Sequence, residues 1–441
     1  MFRERVFPCS SKDETSHALE AFIGPAPKFL IGAQASTLPR SGKHVVISRF
    51  PTQRLQRELA GSGYSYMYDF CVLLRRGEPR WLLPLADSGI MLSGLQIYKP
   101  FALRGRLLKT LLAGTIVLGW RGWNRPKVLL ASLAPLPLQV MVTEVTGEER
   151  PAFALWLGNR ESFRTLTVQV MRPNGEVLGY IKLPLTGAAA ERVRHEAKLL
   201  TRLWDKFPCL RPHIPQVLHS SQWNGGFMLF QSSGPRARGP SAFGRLHTQF
   251  LQQLWKAEPV RTAGHRLVEE VAAGWQRVQP QLATEWRDLG EASLQEASRR
   301  LEGTTVSCGL MHGDFAPWNT RQENGRLFVF DWESAKEETP KLWDVFHFNE
   351  KVTSLLHKKP VRYAAIGLTC PADDASFLLY SLRSVAKALE DGGSLLEPKL
   401  NYHKEQILRG LQGSPKKWSG YHRGAKTVGS GINEHFKEGV L

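Results

Sequence analysis

Cysteine is scarce in this chain of 441 residues. Its five thiols, Cys9, Cys71, Cys209, Cys308 and Cys370, stand far apart, with no C-x-x-C and no Cys/His ligand spacing. That argues against a disulfide framework and a zinc site, and it fits a reducing, cytoplasmic compartment. A secretory leader is also missing: MFRERVFPCSSKDETSH has no apolar core. The apolar run Thr110–Trp120 is too short to cross a bilayer. No internal repeat and no G-x-G-x-x-G phosphate loop occur. Acidic residues are absent from Ser88 to Thr143, while Lys99, Arg104, Arg106, Lys109, Arg121, Arg125 and Lys127 fall there, within a chain of net charge +18. Such a stretch suits anionic lipid headgroups, a phosphorylated substrate or nucleic acid, or else forms a solvated basic face partnered from elsewhere in the fold. No recognised nucleic-acid module accompanies it, so a nucleic-acid partner is not expected.

The length suffices for two or three domains with sizeable cores. Hydrophobic and charged fractions of 42% and 22% are ordinary for a soluble globular protein. Residues 1–40 show no clear period and are expected to be partly loose. His44–Phe50, Tyr68–Leu74 and Trp81–Leu85 read as strands, and Ser88–Lys99 is ambiguous. Leu103–Gly119 reads as a helix with a wide apolar face and basic residues toward its ends. It is either a core helix of a small α+β domain or a helix lying in a membrane interface, with Trp120 and Trp123 at headgroup depth. The prolines and glycine of Ala131–Pro151 suggest a domain boundary near 150.

Beyond that boundary, Phe153–Leu157, Thr165–Met171 and Val177–Leu183 alternate as three antiparallel strands, the last two joined by the turn Pro173-Asn174-Gly175. Lys182, near the end of the third, can reach a phosphate as a point charge. A helix follows over Ala188–Lys206, with Thr186 as a possible cap. Glu196 falls between Val193 and Leu200, on the apolar face, where a carboxylate needs a cation; Lys182 is the natural partner and Glu191 the rival carboxylate. Phe227–Phe230 is another apolar strand. Phe243–Trp255, Leu267–Val278, Gln281–Leu301, Trp343–Leu356, Ser376–Leu389 and Asn401–Leu411 carry helical periodicity. His247 reads as a structural histidine, and the Gly/Lys-rich tail after Gly413 as disordered.

The most informative stretch is Met311–Glu333, MHGDFAPWNTRQENGRLFVFDWE. Asp314 and Asn319 fit D-x-x-x-x-N, a spacing suited to phosphoryl transfer. Asn324-Gly325 is a type I′ turn signal, and Leu327–Phe330 is a short apolar strand ending at Asp331. A hairpin between Asn319 and Asp331 returns two oxygen ligands to one place, as a hard cation requires. The alternative is a buried hairpin with satisfied polar residues.

H-G-D-F-x-P-x-N, then an apolar strand and D-W-E, resembles the aminoglycoside phosphotransferase and choline kinase-like family over about residues 151–412. The resemblance implies an α+β, bilobal protein kinase-like fold. A small antiparallel-sheet lobe and hinge would span 151–235 and a mostly helical large lobe 236–412, with an extra N-terminal α+β domain over 1–150 and a disordered basic tail over 413–441. It implies Asp314 as catalytic base, His312 holding the loop, and Asn319 and Asp331 as Mg²⁺ ligands. Lys182, fixed by Glu196, would meet the phosphates of ATP or GTP. The hinge around Phe230 and Gln231 would meet the base. The first turn has only Gly158, so backbone amides from Asn159 to Phe163 would have to serve the phosphates. Asp344 would give structural support, and Glu333 would lie just outside the metal ligands.

The expected activity is transfer of a γ-phosphoryl group to the hydroxyl of a small molecule. The alternatives are a pseudokinase, and an adaptor that meets an anionic membrane through residues 88–130 and is peripheral to that membrane.

Overall fold

The computed structural model describes residues 14–23, 28–31, 44–48, 53–75, 77–98, 100, 103–120, 126–158, 163–356, 371–390 and 397–412. The expected loop residue Asn159, the tail after 413, and Lys99, Trp123, Arg121 and Arg125 of the basic stretch lie outside them. The chain divides into two compact units, Met1–Thr201 with Pro215–Ser233, and Arg202–Ile214 with Gly234–Leu441.

The first unit contains α1 (Glu14–Ile23), β1 (Lys28–Ile31), β2 (His44–Ser48), α2 (Gln53–Gly61), β3 (Tyr66–Arg75), β4 (Glu78–Pro84), α3 (Ser88–Gly94), α4 (Leu103–Val117), β5 (Lys127–Ser132) and α5 (Pro137–Thr146). It continues through β6 (Ala152–Trp156), β7 (Thr165–Met171), β8 (Val177–Pro184), most of α6 (Gly187–Lys206), β9 (Val217–Trp223) and β10 (Gly226–Ser232). All ten strands form one sheet, in the order β1-β2-β5-β3-β4-β6-β7-β8-β10-β9. The boundary expected near 150 therefore falls inside a continuous sheet: β4 pairs antiparallel with β6 through Trp81↔Trp156 and Leu82↔Leu155. The Pro/Gly punctuation marks the ends of α5 instead. Pro137 opens that helix, and Gly147 closes it at φ 73.

One core runs under both halves of the sheet. Phe22 of α1 packs edge-to-face on Phe70 of β3 and Phe153 of β6, with ring centroids 6.4 and 5.4 Å apart. Removing such a buried ring costs about 3–5 kcal/mol. Within the N-terminal forty residues, expected to be partly loose, α1 thus contributes to the core, and the rest apart from β1 lies outside the described residues. The α1 face of Ala18, Leu19, Phe22 and Ile23 is fully buried, although its period is too short to stand out in sequence.

The second unit is mainly helical. It holds α7 (Arg245–Ala257), β11 (Val260–Ala263), α8 (Gly264–Val278), α9 (Thr284–Leu301), β12 (Thr305–Met311), β13 (Thr320–Glu323), β14 (Arg326–Val329) and β15 (Lys336–Pro340). Then come α10 (Trp343–Glu350), α11 (Pro371–Glu390) and α12 (Glu397–Gln412). Between α10 and α11 a π-helical turn covers Lys351–Leu355. Trp275, Leu301, Trp343, Phe346, Leu378 and Leu382 share the core of this unit. Two small sheets, β11-β12-β15 and the hairpin β13-β14, sit on it.

Candidate active site

In the first unit, Lys182 lies on β8 and Glu196 on α6. Thr186 caps the helix, its hydroxyl accepting the Ala189 amide at 3.2 Å. The stripe Ala189, Val193, Ala197 and Leu200 is buried against the sheet and carries Glu196 inward with it. Glu196 is fully buried and Lys182 nearly so, and Lys182 Nζ donates to Glu196 Oε2 at 2.6 Å. Glu191 pairs instead with Arg194 at the exposed surface. On the neighbouring strand β10, Phe230 and Gln231 are buried opposite Ile181 and Tyr180. Gln231 Oε1 is a buried oxygen without a hydrogen-bond partner among the described residues. Gly158 ends β6 at φ +70, where a β-carbon would lie 2.6 Å from the Thr165 carbonyl oxygen. Only glycine turns the chain there.

The second unit holds the other residues singled out by the sequence. β12 delivers its last buried residues to His312, and Gly313 (φ +82) turns the chain so tightly that a β-carbon would meet the Ser334 carbonyl oxygen at 2.0 Å. The amides of His312 and Gly313 both donate to the carboxylate of Asp344, at 2.7 and 3.1 Å. Asp344 therefore supports the catalytic-type loop directly, rather than capping the first amides of α10. His312 accepts the Asp314 amide on Nδ1 at 3.2 Å and donates from Nε2 to the Phe330 carbonyl at 3.1 Å. That pattern requires the neutral ring, and burial lowers the pKa of His312 to about 4. The histidine thus ties the loop to the strand that ends at Asp331.

Asn324 and Gly325 take positive φ values of 49° and 72°, a type I′ turn joining β13 to β14. At the base of the hairpin the Phe330 amide donates to the Asn319 carbonyl at 3.1 Å. The residue before Asp331 is thereby fastened to Asn319. Asp331 itself sits at φ +73, a left-handed conformation that aspartate tolerates at a cost of about 1 kcal/mol. Asn319 Nδ2 donates to the Asp314 backbone oxygen at 2.9 Å and to Asp314 Oδ2 at 2.8 Å. With its amide nitrogen engaged, Asn319 has its side-chain oxygen as the atom that could serve as a ligand. An amide oxygen and a carboxylate are donor types that suit Mg²⁺.

The other oxygen of Asp314, Oδ1, lies 2.9 Å from His347 Nε2 on α10. Burial alone would raise this carboxyl, but the hydrogen bond from His347 and the charge of Lys351 hold it down at about 2. Behind His347 stands a further chain. The Tyr380 hydroxyl lies 3.3 Å from His347 Nδ1 and donates to Glu350 Oε2 at 2.7 Å. Glu350 is fully buried and accepts also from Ser384, at 3.0 Å. Lys351, Lys399 and His403 lie 3.3, 3.5 and 3.3 Å from its oxygens. Burial would raise the Glu350 carboxyl, yet the charges of Lys351 and Lys399, with His403 beside it, keep it well below the usual range.

Motif spacing pointed to Asp314 and Asn319, but not to His347, Glu350 or Tyr380. A weaker signal was present. Asp344, His347 and Lys351 recur at i, i+3 and i+7, a polar stripe on a helix whose remaining residues, apart from Asn349 and Glu350, are apolar. Glu333, expected just outside the metal ligands, is half-buried two residues past Asp331. His247 is the structural histidine expected: buried, lowered by burial to about 4, and accepting the Gly244 amide at the head of α7.

With this geometry in view, comparison with known proteins gives a definite match. Residues 159–340 match the phosphotransferase enzyme family. The resemblance to aminoglycoside phosphotransferases and choline kinase-like proteins holds over that segment. No curated protein matches the chain. Among solved structures, a GDP complex of wild-type aminoglycoside 2'-phosphotransferase-IIIa shares 16% identity, covering 62% of this chain and 97% of that one, with TM-score 0.43. The apo form of a thermostable mutant of aminoglycoside phosphotransferase APH(4)-Ia shares 14% identity, covering 62% and 98%, with TM-score 0.44. At such identities and scores these neighbours say nothing of what this chain binds. Phosphoryl transfer is the chemistry of the family that the segment matches.

Proposed function

We propose that this protein moves the γ-phosphoryl group of a nucleoside triphosphate, ATP or GTP, to a hydroxyl of a small molecule. The observation that carries this reading is the anchoring of Asp314, with one oxygen on Asn319 and the other on His347. A carboxylate so held is ionised and oriented, which a base or hydroxyl-orienting group needs. Asn319 and Asp331 would hold Mg²⁺, which when bound neutralises charge on the phosphates. Lys182, fixed by Glu196, would place one further positive charge on the phosphates, and Gly158 and Asn159 would bring backbone amides to them. The strand end at Phe230 and Gln231 would meet the base, with the Gln231 oxygen available to a donor on it. His312 acts as a positioning residue, since its ring hydrogen bonds are both spent on the backbone. Catalysis in this reading is positioning and charge stabilisation.

The acceptor is proposed to be neutral or anionic, such as a sugar, a phosphorylated metabolite or a lipid-linked headgroup. The net charge of +18 favours these over a polycation. The test is phosphoryl transfer from ATP and from GTP, with Mg²⁺, to a panel of neutral, anionic and cationic hydroxyl compounds, for wild type and Asp314→Asn. Transfer lost in the variant supports the reading. Turnover confined to cationic aminosugars would overturn the acceptor class, and failure of every acceptor despite nucleotide binding would favour a pseudokinase.

A further inference from the structure

Helix α4 carries large apolar side chains on more than one side. Nine large apolar side chains are exposed among the described residues, and six belong to α4 or the residue after it: Leu103, Leu107, Leu108, Leu111, Val117 and Leu118, from 57% to 87% exposed. Leu103, Leu107 and Leu111 recur every four residues, so they form one stripe, with Leu118 a further two turns along. The opposite side is apolar too. Ile116 is fully buried, and Leu112, Ala113 and Trp120 pack with it against Met91, Leu95 and Tyr98. An apolar face of a helix is ordinarily buried against a partner. Here only one face is satisfied by the protein.

We infer that the outer face of α4 docks in the surface of an anionic lipid bilayer, the helix lying flat in the interface. Its fifteen residues are too few to cross a bilayer, and no described helix is long and apolar enough to do so. Charge selects the occupant. Arg104 and Arg106 are exposed on the same helix, and no acidic residue occurs between Ser88 and Thr143. Anionic headgroups meet these cations while the leucines enter the acyl boundary, the arrangement of an interfacial helix. A second copy of the chain fits less well, because a two-fold contact through this face would set Arg104 and its counterpart close together with no acid of the stretch to separate them.

The test is co-sedimentation of the full chain with vesicles of phosphatidylcholine alone and of phosphatidylcholine with phosphatidylglycerol, at low and high salt. The protein should pellet with the anionic vesicles and be released in part by salt. The double substitution Leu107→Asn, Leu111→Asn should reduce the bound fraction to background. Arg104→Glu should weaken binding with the leucines intact. All three side chains are exposed, so the thermal midpoint should not fall in either variant, and an unchanged midpoint separates lost docking from lost folding. Absence of binding to anionic vesicles, or binding indifferent to the double substitution, would overturn the inference. So would a dimer in sedimentation velocity that the double substitution dissolves, which would make a second copy the occupant.

Discussion

His347 Nε2 sits 2.9 Å from Asp314 Oδ1, across 33 residues of sequence. One helix, α10, with the π turn that follows, presents Asp344 to the loop amides, His347 to the loop carboxylate and Lys351 to the field around both. The loop that carries Asp314 is therefore held by side chains of α10 as well as by Asn319 and His312. The buried Glu350, with Tyr380 against His347, fixes the rear of that arrangement.

Asp314→Asn should lower phosphoryl transfer by about a hundredfold or more, the range of a lost general base. Nucleotide affinity should change little, because Asp314 is assigned to the acceptor. Parallel measurement of kcat and nucleotide Kd checks this. A loss of nucleotide binding equal to the loss of rate would remove Asp314 from the base role.

Because Asp314 is held at about 2, it stays ionised throughout the neutral range, and it should give no acid limb in kcat/KM above about pH 3. In His347→Ala the donor is lost while burial remains, so the carboxyl moves up. An acid limb should then enter the accessible range, displaced upward by about one pH unit or more. A pH profile of the variant that overlays wild type would contradict the pairing.

Lys182→Ala leaves the fully buried Glu196 without its cation and should cost about 3–5 kcal/mol of stability. Lys182→Met with Glu196→Leu should recover most of that loss by denaturant unfolding, yet stay deficient in nucleotide binding. If the single and double variants bind nucleotide as wild type does, Lys182 has only a structural role.

Glu350 is a carboxylate whose folded-state pKa is depressed. The sign follows from linkage: its stabilisation is present above the unfolded value of about 4.3 and is lost as pH falls toward the folded one. Glu350→Gln should cost about 3 kcal/mol at neutral pH, since Lys351 and Lys399 keep their burial and lose their counter-charge. The gap from wild type should narrow below about pH 4. An equal gap at all pH values would point to packing rather than charge.

Much of the site could be read from sequence because its chemistry is local. Asp314, Asn319, the Asn324-Gly325 turn and Asp331 lie within one short stretch, in and around a hairpin whose turn residues announce themselves. Lys182 and Glu196 were legible through a different rule: an acid on the apolar face of a helix must find a cation. His347 and Glu350 were not, because their partners come from the folded chain rather than from neighbours in sequence. The sheet shows the same division. The strands around residues 66–84 and 152–184 alternate clearly, whereas the β4–β6 pairing that joins them is a non-local contact no periodicity reports. Helix α4 was legible as a helix with two open roles. Its structure gives one face to the core and leaves the other exposed.

The most direct test of the nucleotide site is the thermal shift given by ATP and by GTP, each with and without Mg²⁺, on wild type and Asp331→Ala. A Mg²⁺-dependent rise in Tm for wild type that disappears in Asp331→Ala is the expected result, and the stronger nucleotide names the donor. No shift with either nucleotide, or an equal Mg²⁺-dependent shift in both proteins, would contradict the assignment of Asn319 and Asp331 as the metal-holding pair of a phosphotransferase.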